Sequence, residues 1–241
     1  MKPILLVGDS WPHGEIDSND NIHHGGIKQY FEDYGYNVYN LSFPGGSNLQ
    51  SCKRLENFLN SNPQVTEQKP YVFFFVTEFF RELYNSRPFR KDQNEVNNQI
   101  KQGYEVVKSV WSNKPYYELS KIGQKWQLEI YVIGGCSDTV YLPDKINNVT
   151  ITCQSWTNLL LTGNHLINNP VLTEFINGWV DPFLDAIKPY CSNRDLELLT
   201  ADIELGNSRI ESFYQNKKYF GPDPIHPNRI GHKVLFEFIV K

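Results

Sequence analysis

Two hydrophobic periods take turns along this chain. Residues Ile4–Val7, Tyr71–Val76 and 128–133 are apolar or nearly so, the pattern of strands buried on both faces of a parallel sheet. Residues 36–43 alternate as a further strand, and Val149–Cys153 forms a weaker fifth. Between them the spacing lengthens to that of helices. Ile27, Tyr30, Phe31 and Tyr34 share one face over 25–34, as do Leu49, Cys52, Leu55, Phe58 and Leu59 over 49–59. Ile100, Tyr104, Val107 and Trp111 keep the same interval within residues 79–126, which read as two helices separated near Asn113-Lys114-Pro115. That segment is expected to pack on the sheet as core, with a lid as the alternative. Further helices are predicted over 172–187 and 194–214. Strands alternating with helices imply an α/β fold, a three-layer α/β/α domain around a central five-stranded parallel sheet of flavodoxin-like type. No repeat or linker divides residues 1–241, so one domain is expected, mainly helical at about 79–127.

Composition narrows the class. The 241 residues are 40% hydrophobic and 14% aromatic, enough for a sizeable core and unlike a disordered chain. A net charge of -4 with scattered basic residues leaves no nucleic-acid footprint. The densest basic cluster, 81–91, reads as a solvated loop. No apolar run approaches the ~20 residues of a membrane-spanning helix. With the first strand starting at once, no export signal is expected and the location is read as cytoplasmic. Cys52, Cys136, Cys153 and Cys191 are then reduced core thiols, and the Asn148-Val149-Thr150 acceptor sequence has no consequence.

The first strand runs into Gly8-Asp9-Ser10. In an open α/β sheet, ligands lie outside the carboxyl ends of the strands, which puts Ser10 at the crevice mouth. Taken alone, the tripeptide reads first as a turn, since all three residues are common there. A second signal stands near the other end, in Gly221-Pro222-Asp223-Pro224-Ile225-His226-Pro227. Asp223 and His226 lie three residues apart in a proline-braced loop, and Pro227 suits the first turn of a following helix. A carboxylate that orients an imidazole, facing a hydroxyl, is the arrangement nucleophilic catalysis needs.

With Gly-Asp-Ser as first block and Asp-x-x-His-Pro as last, the chain resembles the SGNH (GDSL-like) hydrolase family from end to end, its middle more loosely. The resemblance implies Ser10 as nucleophile, His226 as base and Asp223 as its orienting acid. Its second block falls on Asn40-Leu-Ser-Phe-Pro-Gly45, which makes the Gly45 N–H an oxyanion donor beside that of Ser10. As a local sequence the same stretch is a glycine turn before a helix, capped by Ser47 or Asn48. The third block departs from the family: where Gly-x-Asn-Asp is usual, this chain has Phe75-Val-Thr-Glu78. Thr77 then stands where the third oxyanion donor belongs, with one hydroxyl proton and shorter reach. Loss of such a donor costs roughly 10²–10³ in turnover in other enzymes. Asn164, in the loop Thr162-Gly-Asn-His165, is an alternative amide donor or a turn cap.

The family reading implies a small or glycan-linked carboxylic ester as substrate, acetyl esters favoured. It implies no cofactor and neither nucleic acid nor membrane as partner; the oligomeric state stays open. The Asn- and Tyr-rich character is also similar to that of uncharacterised bacteriophage SGNH-like proteins, which would favour an acetylated host glycan and virion association. The competing class is a non-catalytic module of the same fold that holds a glycan or a protein. A metal site at His13, His23 and His24 ranks last, since no Asp or Glu stands at helical ligand spacing from them.

Overall fold

The structure, a computed structural model, describes residues 2–17, 19, 21–84, 93–140, 146–173, 181–223 and 225–241. In chain order the elements are β1 (Ile4–Val7), a 3₁₀ turn (Trp11–His13), β2 (Glu15–Ile16), β3 (Ile22–His24), α1 (Gly26–Asp33), β4 (Val38–Asn40), α2 (Asn48–Ser61), α3 (Pro63–Thr66) and β5 (Tyr71–Val76). They continue as α4 (Arg81–Tyr84), α5 (Gln93–Ile100), α6 (Tyr104–Trp126), β6 (Ile130–Gly134), β7 (Val149–Cys153), α7 (Trp156–Thr162) and α8 (Asp181–Ile187). A second 3₁₀ turn (Lys188–Tyr190), α9 (Asn193–Gln215) and α10 (Arg229–Ile239) complete the chain.

Five strands form one parallel sheet in the order β4-β1-β5-β6-β7. Successive side chains of a strand point to opposite faces, and here both faces are covered. Ile4, Leu6, Phe73 and Phe75 join Ile27 and Phe31 of α1, Trp156 of α7 and Leu235 of α10 on one side. Leu5, Val7, Val72, Phe74 and Val76 meet Leu55 and Leu59 of α2 and Tyr116, Leu119 and Ile122 of α6 on the other. This two-sided burial is why β1 and β5 read as unbroken apolar runs. A third cluster joins Phe79, Phe80, Tyr104 and Trp111 to Phe183 of α8 and Leu199 of α9. The predicted α/β/α layers and parallel strands are thus present.

Some boundaries differ from the sequence expectation. Pro115 does not break the helical segment: α6 runs through it for 23 residues. Trp111, Tyr116, Leu119 and Ile122 are buried on either side of the proline. At ~1.5–3 kcal/mol for each large apolar side chain, that packing outweighs the ~3 kcal/mol penalty of an interior proline. The helix expected over 172–187 occupies Asp181–Ile187; Leu172 and Thr173 lie outside regular structure, and 174–180 lie outside the described residues. Cys52, Cys136 and Cys153 are buried and Cys191 half-buried, and none of the four is in a disulfide. No helix among the described residues is long and apolar enough to cross a membrane.

The chain leaves β1 for the sheet edge at β4 and then returns to β5. In this topology the switch point lies between β1 and β5, the place where an open α/β sheet leaves a crevice. Ser10 follows one of these strands and Thr77 the other.

Candidate active site

Beyond Val7 the backbone passes so close to β5 that a Cβ on Gly8 would lie 2.8 Å from the Phe75 Cβ. Asp9 then turns fully inward. Its carboxylate accepts from the Trp11 N–H (3.0 Å), the Thr77 hydroxyl (2.7 Å) and Arg81 Nη1 (3.2 Å). Ser10 opens the 3₁₀ turn with φ -71° and ψ -25°. The next residue, Trp11, is buried against Trp156 (5.4 Å between ring centroids), Phe213 (5.8 Å) and Phe220 (6.3 Å). Ser10 is thus held between an inward carboxylate and an inward indole, which limits its freedom.

The loop before α10 is braced by its own hydrogen bonds. Asp223 Oδ1 accepts from the Ile225 N–H (2.9 Å), the His226 N–H donates to Asp223 O (3.2 Å), and the Gly221 N–H donates to His226 O (3.1 Å). Pro227 sits outside the helix, bridged to Phe220. Asn228 is the N-cap, its Oδ1 accepting from Ile230 and Gly231, so the helix begins two residues later than the proline suggested. Glu15 of β2 latches this junction, accepting from the Arg229 N–H (3.1 Å) and Nε (2.7 Å). Glu15 therefore clamps the loop that carries His226 to the start of α10. Behind it, His232 is fully buried and accepts from the Ile27 N–H (3.2 Å). Burial pushes its pKa down to about 3, so it stays neutral and joins α1 to α10.

These two loops bring Ser10, His226 and Asp223 together. The Ser10 hydroxyl lies 2.7 Å from His226 Nε2. His226 Nδ1 lies 3.2 Å from Asp223 Oδ2. The second approach is within ion-pair distance but falls short of an aligned hydrogen bond. Burial opposes the Asp223 charge, yet the His226 ring and the Ile225 N–H outweigh it and hold its pKa below the ordinary carboxylate value. The imidazole accordingly faces an ionised carboxylate on one side and a hydroxyl on the other.

Gly45 lies at the third corner of a turn in which the Gly46 N–H donates to Phe43 O (2.9 Å). Its φ of +72° is the reason for glycine, since a Cβ there would meet nothing within 4 Å. With Pro44 before it, this is the residue pattern of a type II turn. Both local readings of the stretch hold: Ser47 caps α2 in a reciprocal capping box with Gln50. The loop is tied to β1 through the Phe43 N–H, which donates to Gly8 O (3.0 Å).

Thr77 is placed differently from a cleft donor. The residue is 2% exposed and its hydroxyl proton goes to Asp9. Asn48 bonds both sides of the Thr77 peptide, Nδ2 to Thr77 O (2.8 Å) and Oδ1 from Thr77 N (2.9 Å). Glu78 accepts from Arg81 Nε (3.1 Å). Arg81 thus corrects the solvated-loop expectation: it is buried between Asp9 and Glu78, because two inward carboxylates at the ends of β1 and β5 require a cation. Residues 85–91 of that cluster lie outside the described residues. Asn164 is exposed in a local turn, its Oδ1 accepting from the Leu166 N–H (3.0 Å). It follows α7, and the Asn164 N–H likewise bonds locally, donating to Thr162 Oγ1 (3.2 Å). His23 pairs with Asp17 (2.9 Å) and His24 Nδ1 accepts from the Gly26 N–H (3.0 Å). His13, in contrast, lies beside Ser10.

No family model matches the chain, and no curated protein matches it. It is similar to solved structures over its whole length. A lipase/acylhydrolase from Enterococcus faecalis shares 14% identity, with 100% of this chain and 94% of that one covered, at a TM-score of 0.39. The psychrotrophic esterase EstA from Pseudoalteromonas sp. shares 10%, covering 100% and 95%, at 0.43. A lipase from a goat rumen metagenome shares 14%, covering 100% and 96%, at 0.41.

Sequence reasoning missed Arg81, Asn48 and Glu15. The one available signal was the placement of Arg81 five residues beyond the end of β5, where the chain leaves the carboxyl edge of the sheet.

Proposed function

We propose that the protein hydrolyses carboxylic esters with Ser10 as nucleophile. The observation that carries this reading is the 2.7 Å contact between the Ser10 hydroxyl and His226 Nε2. His226 takes the Ser10 proton as Ser10 Oγ bonds to the ester carbonyl carbon, and Asp223 stabilises the imidazolium. The tetrahedral oxyanion is held by the Ser10 and Gly45 N–H groups. When it collapses, the carbon–oxygen bond to the alcohol breaks and His226 returns the proton to the leaving oxygen. A water, deprotonated by His226, then releases the acid and restores Ser10. The substrate is a small or glycan-linked ester, with acetyl favoured.

Thr77 joins this scheme through Asp9, whose carboxylate holds the turn that carries Ser10. Two backbone donors then serve the oxyanion, which predicts slower turnover than three would support. The commitment of the Thr77 proton to Asp9 also favours a second reading, a non-catalytic module that holds a glycan or a protein in the same crevice. Hydrolysis of 4-nitrophenyl acetate separates the two. The hydrolytic reading expects saturable turnover that Ser10→Ala abolishes; turnover that survives in Ser10→Ala, or none in the wild type, would support the binding module.

A further inference from the structure

We infer that His13 determines specificity in this cleft by accepting a hydrogen bond, at Nε2, from a substrate hydroxyl beside the scissile ester. The preferred substrate is then an ester of a polyol or sugar. This rests on the hydrolytic reading of Ser10.

Position comes first. Ser10 and His13 are three residues apart in a 3₁₀ turn closed by the His13 N–H donating to Ser10 O (3.1 Å). Side chains at i and i+3 of such a turn eclipse one another, so the imidazole stands on the same edge as the Ser10 hydroxyl. The ring is also held from across the crevice. Its Nδ1 lies 3.4 Å from Ser42 Oγ, in the loop that leads to Gly45, and Asn40 Nδ2 donates to Pro12 O (3.4 Å). His13 thus bridges the two backbone segments that flank the reacting carbonyl.

The hydrogen-bond chain then decides which nitrogen meets the substrate. Ser42 gives its one proton to Asn40 Oδ1, and that oxygen also accepts the Ser42 N–H (3.0 Å). Ser42 Oγ therefore presents a lone pair to His13 Nδ1, which favours the Nδ1–H tautomer and leaves Nε2 as an acceptor. Burial lowers the His13 pKa, with the Ser42 backbone acting in the opposite direction, so the ring is neutral near pH 7. With Nδ1 turned to Ser42, Nε2 is the ring nitrogen left to a ligand, and His13 is half-buried rather than enclosed. A neutral acceptor fixed beside a nucleophile favours a donor on the alcohol portion of the ester, which a vicinal hydroxyl supplies.

The test pairs 2-hydroxycyclohexyl acetate with cyclohexyl acetate in the wild type, His13→Leu and His13→Gln. One hydrogen bond at a half-exposed site corresponds to about a tenfold preference in kcat/KM for the hydroxy ester. The inference expects that preference in the wild type, its loss in His13→Leu, and partial retention in His13→Gln, whose Oε1 can accept. A wild type that hydrolyses both esters through Ser10 without preference would overturn the inference and leave the hydrolytic reading intact. So would a preference unchanged in both variants. A wild type that turns over 4-nitrophenyl acetate through Ser10 but neither of these esters would overturn the inference alone; if all three esters are inert, the hydrolytic reading fails and this inference with it.

Discussion

Thr77 gives its hydroxyl proton to Asp9 across 2.7 Å, joining the end of β5 to the turn that carries Ser10. Asp9 is fully buried and takes three donors, from Trp11, Thr77 and Arg81. Thr77 is thereby engaged in holding the loop. Thr77→Val should leave this carboxylate one donor short, at about 1–3 kcal/mol, lowering Tm by roughly 2–10 °C for a chain of this size. Thr77→Ser should restore most of it. Thermal unfolding checks the prediction; an unchanged Tm with about tenfold slower ester turnover would put the hydroxyl on the oxyanion instead.

Arg81 lies between the Asp9 and Glu78 carboxylates, with its side chain 10% exposed. Breaking a buried ion pair from one side costs about 3–5 kcal/mol, because the remaining charge is left uncompensated. Arg81→Met should therefore fall by that order in urea-unfolding free energy. Arg81→Lys should recover only a fraction, since one ammonium cannot reproduce the fork that spans two carboxylates. A loss below about 1 kcal/mol in Arg81→Met would mean that the pair is more solvated than its burial implies.

Glu82 gives the stability a pH dependence. It is buried in α4 and faces the start of α2, accepting from Ser47 Oγ (2.8 Å) and the Leu49 N–H (2.7 Å). Burial raises its pKa from 4.5 to about 7, while those two donors pull the other way. A folded pKa above the unfolded one means that the group's contribution is full below about pH 4.5 and is lost as pH rises through about 7. Glu82→Gln removes the titration, so its stability relative to wild type should rise by about 2–3 kcal/mol between pH 5 and 8. Urea unfolding at both pH values measures this difference; parallel behaviour of the two proteins would contradict the assignment.

How much of this was legible in the sequence follows from what each feature depends on. Tyr71–Val76 and Val149–Cys153 coincide with β5 and β7 because strand composition is a local property. Ile4–Val7 was equally legible, since burial on both faces demands an unbroken apolar run. The meeting of Ser10 and His226 could be anticipated from two terminal blocks, although they are 216 positions apart. Arg81 escapes a sequence reading because a basic residue is exposed by default, and its burial depends on Asp9, 72 positions away. Pro115 fails as a helix breaker for a related reason, the packing of α6 against α2. The Asn48 bridge to Thr77 and the Glu15 latch on Arg229 are tertiary contacts that no local pattern announces.

The central claim is that Ser10 is an activated nucleophile and not a turn residue, and a fluorophosphonate probe tests it most directly. Covalent labelling followed by mass spectrometry of peptides should find one adduct per chain, on Ser10. His226→Ala should abolish the reaction by removing the base, and Asp223→Asn should slow it by disfavouring the productive tautomer. A folded protein that resists the probe, or one that labels equally well in His226→Ala, would contradict the account.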